Sequence, residues 1–149
     1  MEQKKLLFNS KTLYSKFLGF LIKKGKKNVA KKTLDRAFAD ASIKTGFSLH
    51  FLLLKVFSKL NTFVEVRKIR IRRRSYIVPF SINTKRRSYL AIKWLVSAVD
   101  QDNRKISMAE KLSNEICKIV TNSPCKSLKT KDFNNSQAVA NRSNIHYRW

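Results

Sequence analysis

The sequence predicts a mainly α fold, a bundle of about six helices with a two-stranded β-hairpin arm protruding between the third and fourth. Three observations carry that expectation. Helix breakers are scarce, with 3 glycines and 2 prolines in 149 residues. Apolar residues recur at three- and four-residue spacing through most of the chain, the period of one helix face. One stretch alone, residues 63–82, is rich in Val, Ile, Phe and Tyr at near-alternate places and reads as a hairpin. With 43% apolar residues a chain of this length can close one core without disulfides or metals, so residues 1–149 are expected to form a single domain.

The elements follow in order. Residues 1–10 are a short N-terminal extension. From Ser10 to Lys24, Leu13, Phe17, Phe20 and Leu21 share one face and Lys11, Lys16, Lys23 and Lys24 the other, an amphipathic helix that stops near Gly25. Asn28 caps a second helix with Val29, Leu34, Ala37, Phe38 and Ala41 inward, running out at Gly46. From Ser48, apolar residues including Phe51, Leu52, Val56 and Phe57 nearly surround the third helix and place it at the bundle's centre. His50 is given no role.

In the hairpin the alternation slips at Arg67-Lys68, which requires either a bulge or a two-faced ribbon standing off the core. Pro79 cannot donate to a ladder, which suits an arm whose strands are both edges. Asn83 or Thr84 caps a long fourth helix carrying Leu90, Ala91, Trp94, Leu95 and Ala98 on one face. Ser107-Met108-Ala109-Glu110 has the capping-box pattern and opens a fifth, ended by Asn122-Ser123-Pro124. Residues 128–149 are expected to form a polar C-terminal helix.

Charge sets the class of partner. Thirty-three basic and nine acidic residues leave +24, a self-repulsion that a polyanion would relieve. No stretch without a formal charge is longer than Thr45 to Leu54, well short of the ~20 residues of a spanning helix. Basic residues are spread along the whole chain, unlike a membrane-surface helix, so nucleic acid is the expected polyanion. The start, Met1-Glu2-Gln3-Lys4-Lys5, has no small-residue cleavage site and predicts a chain that is not exported. Cys117 and Cys125 stand eight apart, far in sequence from His50 and His146, and read as two reduced thiols rather than zinc ligands.

Catalysis finds no support. The acidic residues are scattered, and no phosphate-binding glycine loop or nucleophile motif occurs. Glu65, amid arginines, reads as an ion-pair partner. No cofactor and no metal are expected. The cations, by contrast, are organised: from Val66 to Lys93 there are ten Lys or Arg and no Asp or Glu. Arg67, Lys68, Arg70, Arg72, Arg73 and Arg74 lie on the arm, and Lys85, Arg86 and Arg87 open the next helix. Most are arginines, whose planar fork makes paired hydrogen bonds to phosphate. An arm about 15–25 Å long reaches between backbones of a folded RNA, with Tyr76 available for stacking. Helix N-termini carrying Arg86 and Arg87, and Lys26 and Lys27 before Asn28, add their dipoles. An architectural DNA-binding protein with a basic β-arm is the alternative, although such proteins are usually short symmetric dimers, and this chain builds a monomeric helical body around one arm.

Taken in order, Gly25-Lys26-Lys27, Val64-Glu65-Val66, Tyr76 with Val78-Pro79, Arg86-Arg87, Leu90-Ala91, Trp94, Ser107-Met108-Ala109, Asn114-Glu115, Asn141-Arg142 and the ending His146-Tyr147-Arg148-Trp149 resemble the bacterial-type family of small-subunit ribosomal protein seven, organelle members included. The resemblance runs from about Leu13 to the last residue. It implies a structural, non-catalytic protein that binds and organises the head-domain (3′ major domain) rRNA. The arm and C-terminal helix would then lie near the exit-site tRNA and the mRNA path, beside ribosomal protein eleven. By this resemblance the rRNA-binding residues are Lys26, Lys27, Arg67, Lys68, Arg70, Lys85, Arg86, Arg87 and Lys93. Arg72, Arg73, Arg74 and Tyr76 are the arm residues nearest tRNA and mRNA, and Arg142, His146, Tyr147, Arg148 and Trp149 anchor the C-terminal helix.

The chain departs from the family at several places. Arg72 and Arg73 stand where the family usually has two glycines, and a left-handed arginine costs about 1 kcal/mol or more. Asp100-Gln101-Asp102 replaces a usually basic helix end, Asn61-Thr62 replaces an Arg-Pro pair, and the basic N-terminal extension is shortened. Heavy use of Lys, Asn, Ile and Phe suggests an A/T-rich genome, hence a mitochondrial ribosome, with a plastid or bacterial cytoplasm as the alternative.

Overall fold

In a computed structural model, residues 10–148 are described. They form six α-helices, α1 (Ser10–Leu21), α2 (Lys27–Thr45), α3 (Leu49–Leu60), α4 (Thr84–Asp100), α5 (Met108–Val120) and α6 (Lys126–Ala140), with the strands β1 (Val64–Ile71) and β2 (Arg74–Ser81) between α3 and α4. A 3-10 helix, Arg142–Tyr147, follows α6. The fold class is the expected one.

The core is a single apolar cluster contributed by the first five helices. Leu13 and Phe17 of α1, Leu34 and Phe38 of α2, Leu52 and Leu53 of α3, Ile92 and Leu95 of α4, and Leu112, Ile116 and Ile119 of α5 are all buried within it. Phe17 and Phe38 meet edge to face, ring centres 6.0 Å apart, the geometry aromatic quadrupoles favour. The inward face of α2 is carried by Ala30, Leu34, Ala37, Phe38 and Ala41. Val29, expected inward, is 61% exposed, because one residue before Ala30 is about 100° round the helix. Phe51 is likewise 45% exposed, so α3 is buried on one side rather than all round. Asn28 is not the cap: α2 begins at Lys27, and its N-cap Lys26 makes no side-chain capping bond.

Other boundaries obey their local chemistry. Gly46 ends α2 in the left-handed region, φ 72°, its N–H donating to Ser42 O, where a side chain would be strained. Ser48 and Ser107 accept from the N–H groups of Phe51 and Glu110 and cap α3 and α5. Lys59 reaches across from α3 and donates to the carbonyls of Ile119 and Val120, at 2.8 and 2.9 Å, closing the C-terminus of α5. Burial of that ammonium lowers its pKa.

The strands pair antiparallel in one unbroken register, Val64 opposite Ser81 through Ile71 opposite Arg74. No bulge interrupts it, so of the two expectations for the slip the two-faced ribbon is the one realised. Side chains alternate across the pleat. Val64, Val66, Lys68 and Arg70 therefore share a face with Ser75, Ile77 and Pro79, while Glu65, Arg67, Ile69 and Ile71 share the other with Arg74, Tyr76, Val78 and Phe80. The turn retains two residues, Arg72 and Arg73, and Arg72 adopts φ 53°. The C-terminal segment is not one helix from 128 onward. It starts at Lys126, ends at Ala140 and continues as the 3-10 turn.

Candidate nucleic-acid interface

The arm has a covered base and a bare tip. At the base, both outer edges are closed by side chains from the C-terminal segment. The Asn134 amide of α6 donates to Val64 O at 2.8 Å and accepts from Val66 N–H at 3.3 Å, replacing a missing neighbour strand along β1. On the far edge, Asn144 donates to Ile77 O at 3.0 Å and the Arg148 Nε donates to Pro79 O at 2.7 Å. Pro79 lies opposite Val66, whose N–H points outward to Asn134, so this is a non-hydrogen-bonded pair and the proline forfeits no ladder bond. An edge that would otherwise invite another chain is thereby occupied.

The base is also clamped to the body by charge. Glu65, whose side chain is 12% exposed, accepts from Arg86 of α4, with Nε to Oε2 at 3.1 Å and Nη2 to Oε1 at 2.5 Å, and from Arg67 Nη2 at 3.1 Å. This is a paired guanidinium–carboxylate fork. The hydrogen bonds from Arg86, aided by Arg67, hold the Glu65 carboxyl below the usual carboxylate range despite the opposing effect of burial. Arg87 donates from Nε to Ile82 O at 3.2 Å, and its guanidinium lies 4.1 Å from the centre of the Phe63 ring. Arg67 lies over Phe80 at 5.2 Å. Arg67, Arg86 and Arg87 are thus engaged with the protein itself.

The remaining cations are differently placed. Among the described residues, Lys68, Arg70, Arg72, Arg73, Arg74, Lys85 and Lys93 are exposed, and no ion pair engages them. Five of them ride the outer half of the arm, divided between its two faces, and two ride α4. Lys26 and Lys27 are exposed at the start of α2, after a left-handed pair, Lys24 at φ 52° and Gly25 at φ 72°. The arrangement can hold several phosphates at once, on a projecting finger and on the body beside it. Among the described residues no three His, Cys, Asp or Glu side chains group as metal ligands, and no helix is long and apolar enough to cross a membrane.

The C-terminal residues divide in the same way. The Tyr147 ring packs on Tyr76, centres 4.7 Å apart, and His146 packs on Tyr147 at 3.9 Å while its Nδ1 lies 2.7 Å from Ser143 O. Tyr76, expected to be available for stacking, is therefore half-buried against the chain's own C-terminal turn. Arg148 grips β2 as above. Arg142 is exposed at the start of that turn, and Trp149 lies outside the described residues.

Sequence reasoning found α1 but missed its place beside the basic face of α4. Phe20, assigned to the core, is only partly buried and meets Tyr89 of α4, ring centres 5.0 Å apart. Lys16 donates to Ser88 Oγ at 2.9 Å, so α1 borders the basic face of α4. The available signal was the spacing of Lys16 and Phe20, one helical turn apart on a face next to the apolar one.

The family described as ribosomal protein S7p/S5e matches residues 2–142. Among curated relatives, the small ribosomal subunit protein uS7 of Dichelobacter nodosus is 34% identical over 137 residues, 92% of this chain and 86% of that protein. The small ribosomal subunit protein uS7m of Reclinomonas americana is 33% identical over 143 residues, 96% and 88% of the two chains. The uS7 of Mycobacterium avium is 32% identical over 137 residues, 92% and 86% of the two chains. By this match along nearly its whole length, the chain belongs to the ribosomal protein S7p/S5e family.

Proposed function

We propose that this protein is a structural constituent of the small ribosomal subunit that binds and organises the head-domain rRNA, and that it carries no catalytic role. The observation that carries the reading is the division of labour among the cations: Glu65 and the aromatic rings fix Arg67, Arg86 and Arg87 at the root of the arm, while Arg70, Arg72, Arg73 and Arg74 are exposed beyond it and, among the described residues, have no ion-pair partner. A finger so held offers phosphate ligands at fixed spacing, which selects the shape of a folded RNA more than its sequence.

On this reading Lys26, Lys27, Lys68, Arg70, Lys85 and Lys93 contact rRNA, with Arg67, Arg86 and Arg87 orienting the arm as well as facing the backbone. Arg72, Arg73 and Arg74 approach the exit-site tRNA and the mRNA path, and ribosomal protein eleven is the neighbour beside the arm and C-terminal turn. The mitochondrial ribosome is the favoured location, supported by the codon-like composition and by the resemblance to a protein named uS7m. A duplex-DNA role has no comparable support, since all three relatives above are named as ribosomal.

The test is equilibrium binding of the full chain to a head-domain rRNA fragment and to an unrelated folded RNA of equal length, at moderate salt. The expected outcome is at least about tenfold tighter binding to the head-domain fragment, in the range of specificity ratios seen for nucleic-acid recognition. Equal binding overturns the specific reading. Loss of the protein from small subunits after a mild salt wash overturns the structural one.

A further inference from the structure

Between α1 and α4 lies an open groove of about 480 Å³ lined by Lys16, Gly19, Phe20, Lys85 and Tyr89. Its wall is apolar and its rim is cationic. Phe20 and Tyr89 stand with their rings tilted 58° to each other, and the guanidinium of Arg86 lies 4.7 Å from the Tyr89 ring centre, so Tyr89 is held in place while remaining 39% exposed. Lys16 is fixed at the rim by its bond to Ser88 Oγ. Lys85 is exposed in the first turn of α4, where Asn83 makes no side-chain capping bond and the opening N–H groups are left for another acceptor.

Gly19 is the informative residue. It sits inside α1, where glycine is destabilising relative to alanine. Its backbone is not left-handed, and a Cβ added there would meet nothing within 4 Å. Neither the fold nor the packing requires it. What its missing side chain does is deepen the groove beside Phe20.

We propose that this groove, resting on the RNA-binding reading above, takes one unpaired nucleobase, seated over Gly19 against Phe20 and Tyr89, with the adjoining phosphate on Lys85 and the start of α4. A flat ring joined to an anion matches an apolar slot whose lining contains two lysines and no carboxylate. A base inside a duplex cannot enter, whereas a bulged or looped nucleotide can be splayed out and packed on aromatic side chains.

The experiment uses the full chain with a stem–loop RNA bearing a single bulged 2-aminopurine, and the same stem fully paired. The bulged RNA should bind about tenfold tighter, within the range of base–aromatic contacts, and its fluorescence should change on binding. Gly19→Leu, which fills the slot, and Tyr89→Ala, which removes a wall, should each abolish the preference and the fluorescence change while affinity for the paired stem stays within about twofold, being carried by phosphate contacts. Gly19→Ala should raise the thermal midpoint yet weaken the preference, a combination that a merely structural glycine would not give. Survival of the preference in these variants, or equal binding of both stems by the unaltered chain, overturns the groove assignment alone. Binding of neither stem at moderate salt overturns the RNA reading and this proposal together. Irradiated small subunits in which the Phe20 and Tyr89 peptides join only to protein also overturn it.

Discussion

Glu65 is the sole acidic residue between Asp40 and Asp100, and its carboxylate ties β1 to α4. Replacing it by glutamine in Glu65→Gln removes the charge under Arg86 and Arg67, which should cost about 1–3 kcal/mol of stability and loosen the arm's root, read as a lower thermal midpoint. Because the folded carboxyl titrates below its ordinary range, its contribution is present above the unfolded value of about 4.3 and is lost as pH falls below it. The unaltered chain should therefore lose more stability than the variant as pH falls below about 4.3. Parallel pH profiles would refute the clamp. At the other end of the arm, Arg72 holds φ 53°, a conformation in which a side chain crowds its own carbonyl. Arg72→Gly should tighten the turn by about 0.5–1 kcal/mol net of glycine's entropy, seen as slower amide exchange at Ile71 and Arg74. Faster exchange there would contradict it.

Among elements, α6 shows how a helix with few apolar contacts is kept. Only Ser127 and Ala138 of it are buried. Side-chain bonds hold the helix instead: Ser127 Oγ to Glu115 at 2.6 Å, the Lys131 ammonium to Lys59 O at 2.5 Å, Thr62 Oγ1 to Asn135 at 3.0 Å, and the two Asn134 bonds to β1. Asn134→Leu keeps the bulk but leaves the Val66 N–H without a partner and the Val64 carbonyl with the Thr62 hydroxyl alone, at about 1–3 kcal/mol for a buried group. Amide exchange should quicken across β1 while α2 and α5 stay protected. Uniform protection would mean that the amide matters little. Much of the fold was legible in advance as element type: hydrophobic period gave the first five helices, and β-branched residues marked the hairpin. The bonds of Asn134 were not legible, since an asparagine in a polar helix carries no sign of a strand 68 residues earlier.

For the whole molecule, +24 divides into cations engaged with the protein and cations left for a ligand. If six to ten phosphates are engaged, the logarithm of RNA affinity should fall with the logarithm of salt at slopes of about −4 to −9. Arg70→Ala and Arg74→Ala should each flatten that slope by roughly 0.7–0.9 with little change in thermal midpoint. Arg86→Ala should act in the opposite order, lowering the midpoint first, because it leaves the partly buried Glu65 carboxylate with Arg67 alone. Equal behaviour of the three variants would dissolve the distinction on which the interface rests.

The sequence by itself determined what depends on neighbours along the chain: the helical period of Leu13 and Phe17 or of Leu112 and Ile116, the cap at Ser107, the stop at Gly46, the hairpin, and the sign of the partner's charge. Only the tertiary structure decided which cations are already used, that Tyr147 covers Tyr76, that the slip in the arm is two-faced rather than bulged, and that Phe20, packed at the edge of the core, also lines a groove. The physical reason is range. Propensity, capping and amphipathic period act within about one or two turns. The pairs 65 with 86, 66 with 134 and 76 with 147 meet only after the helices have packed.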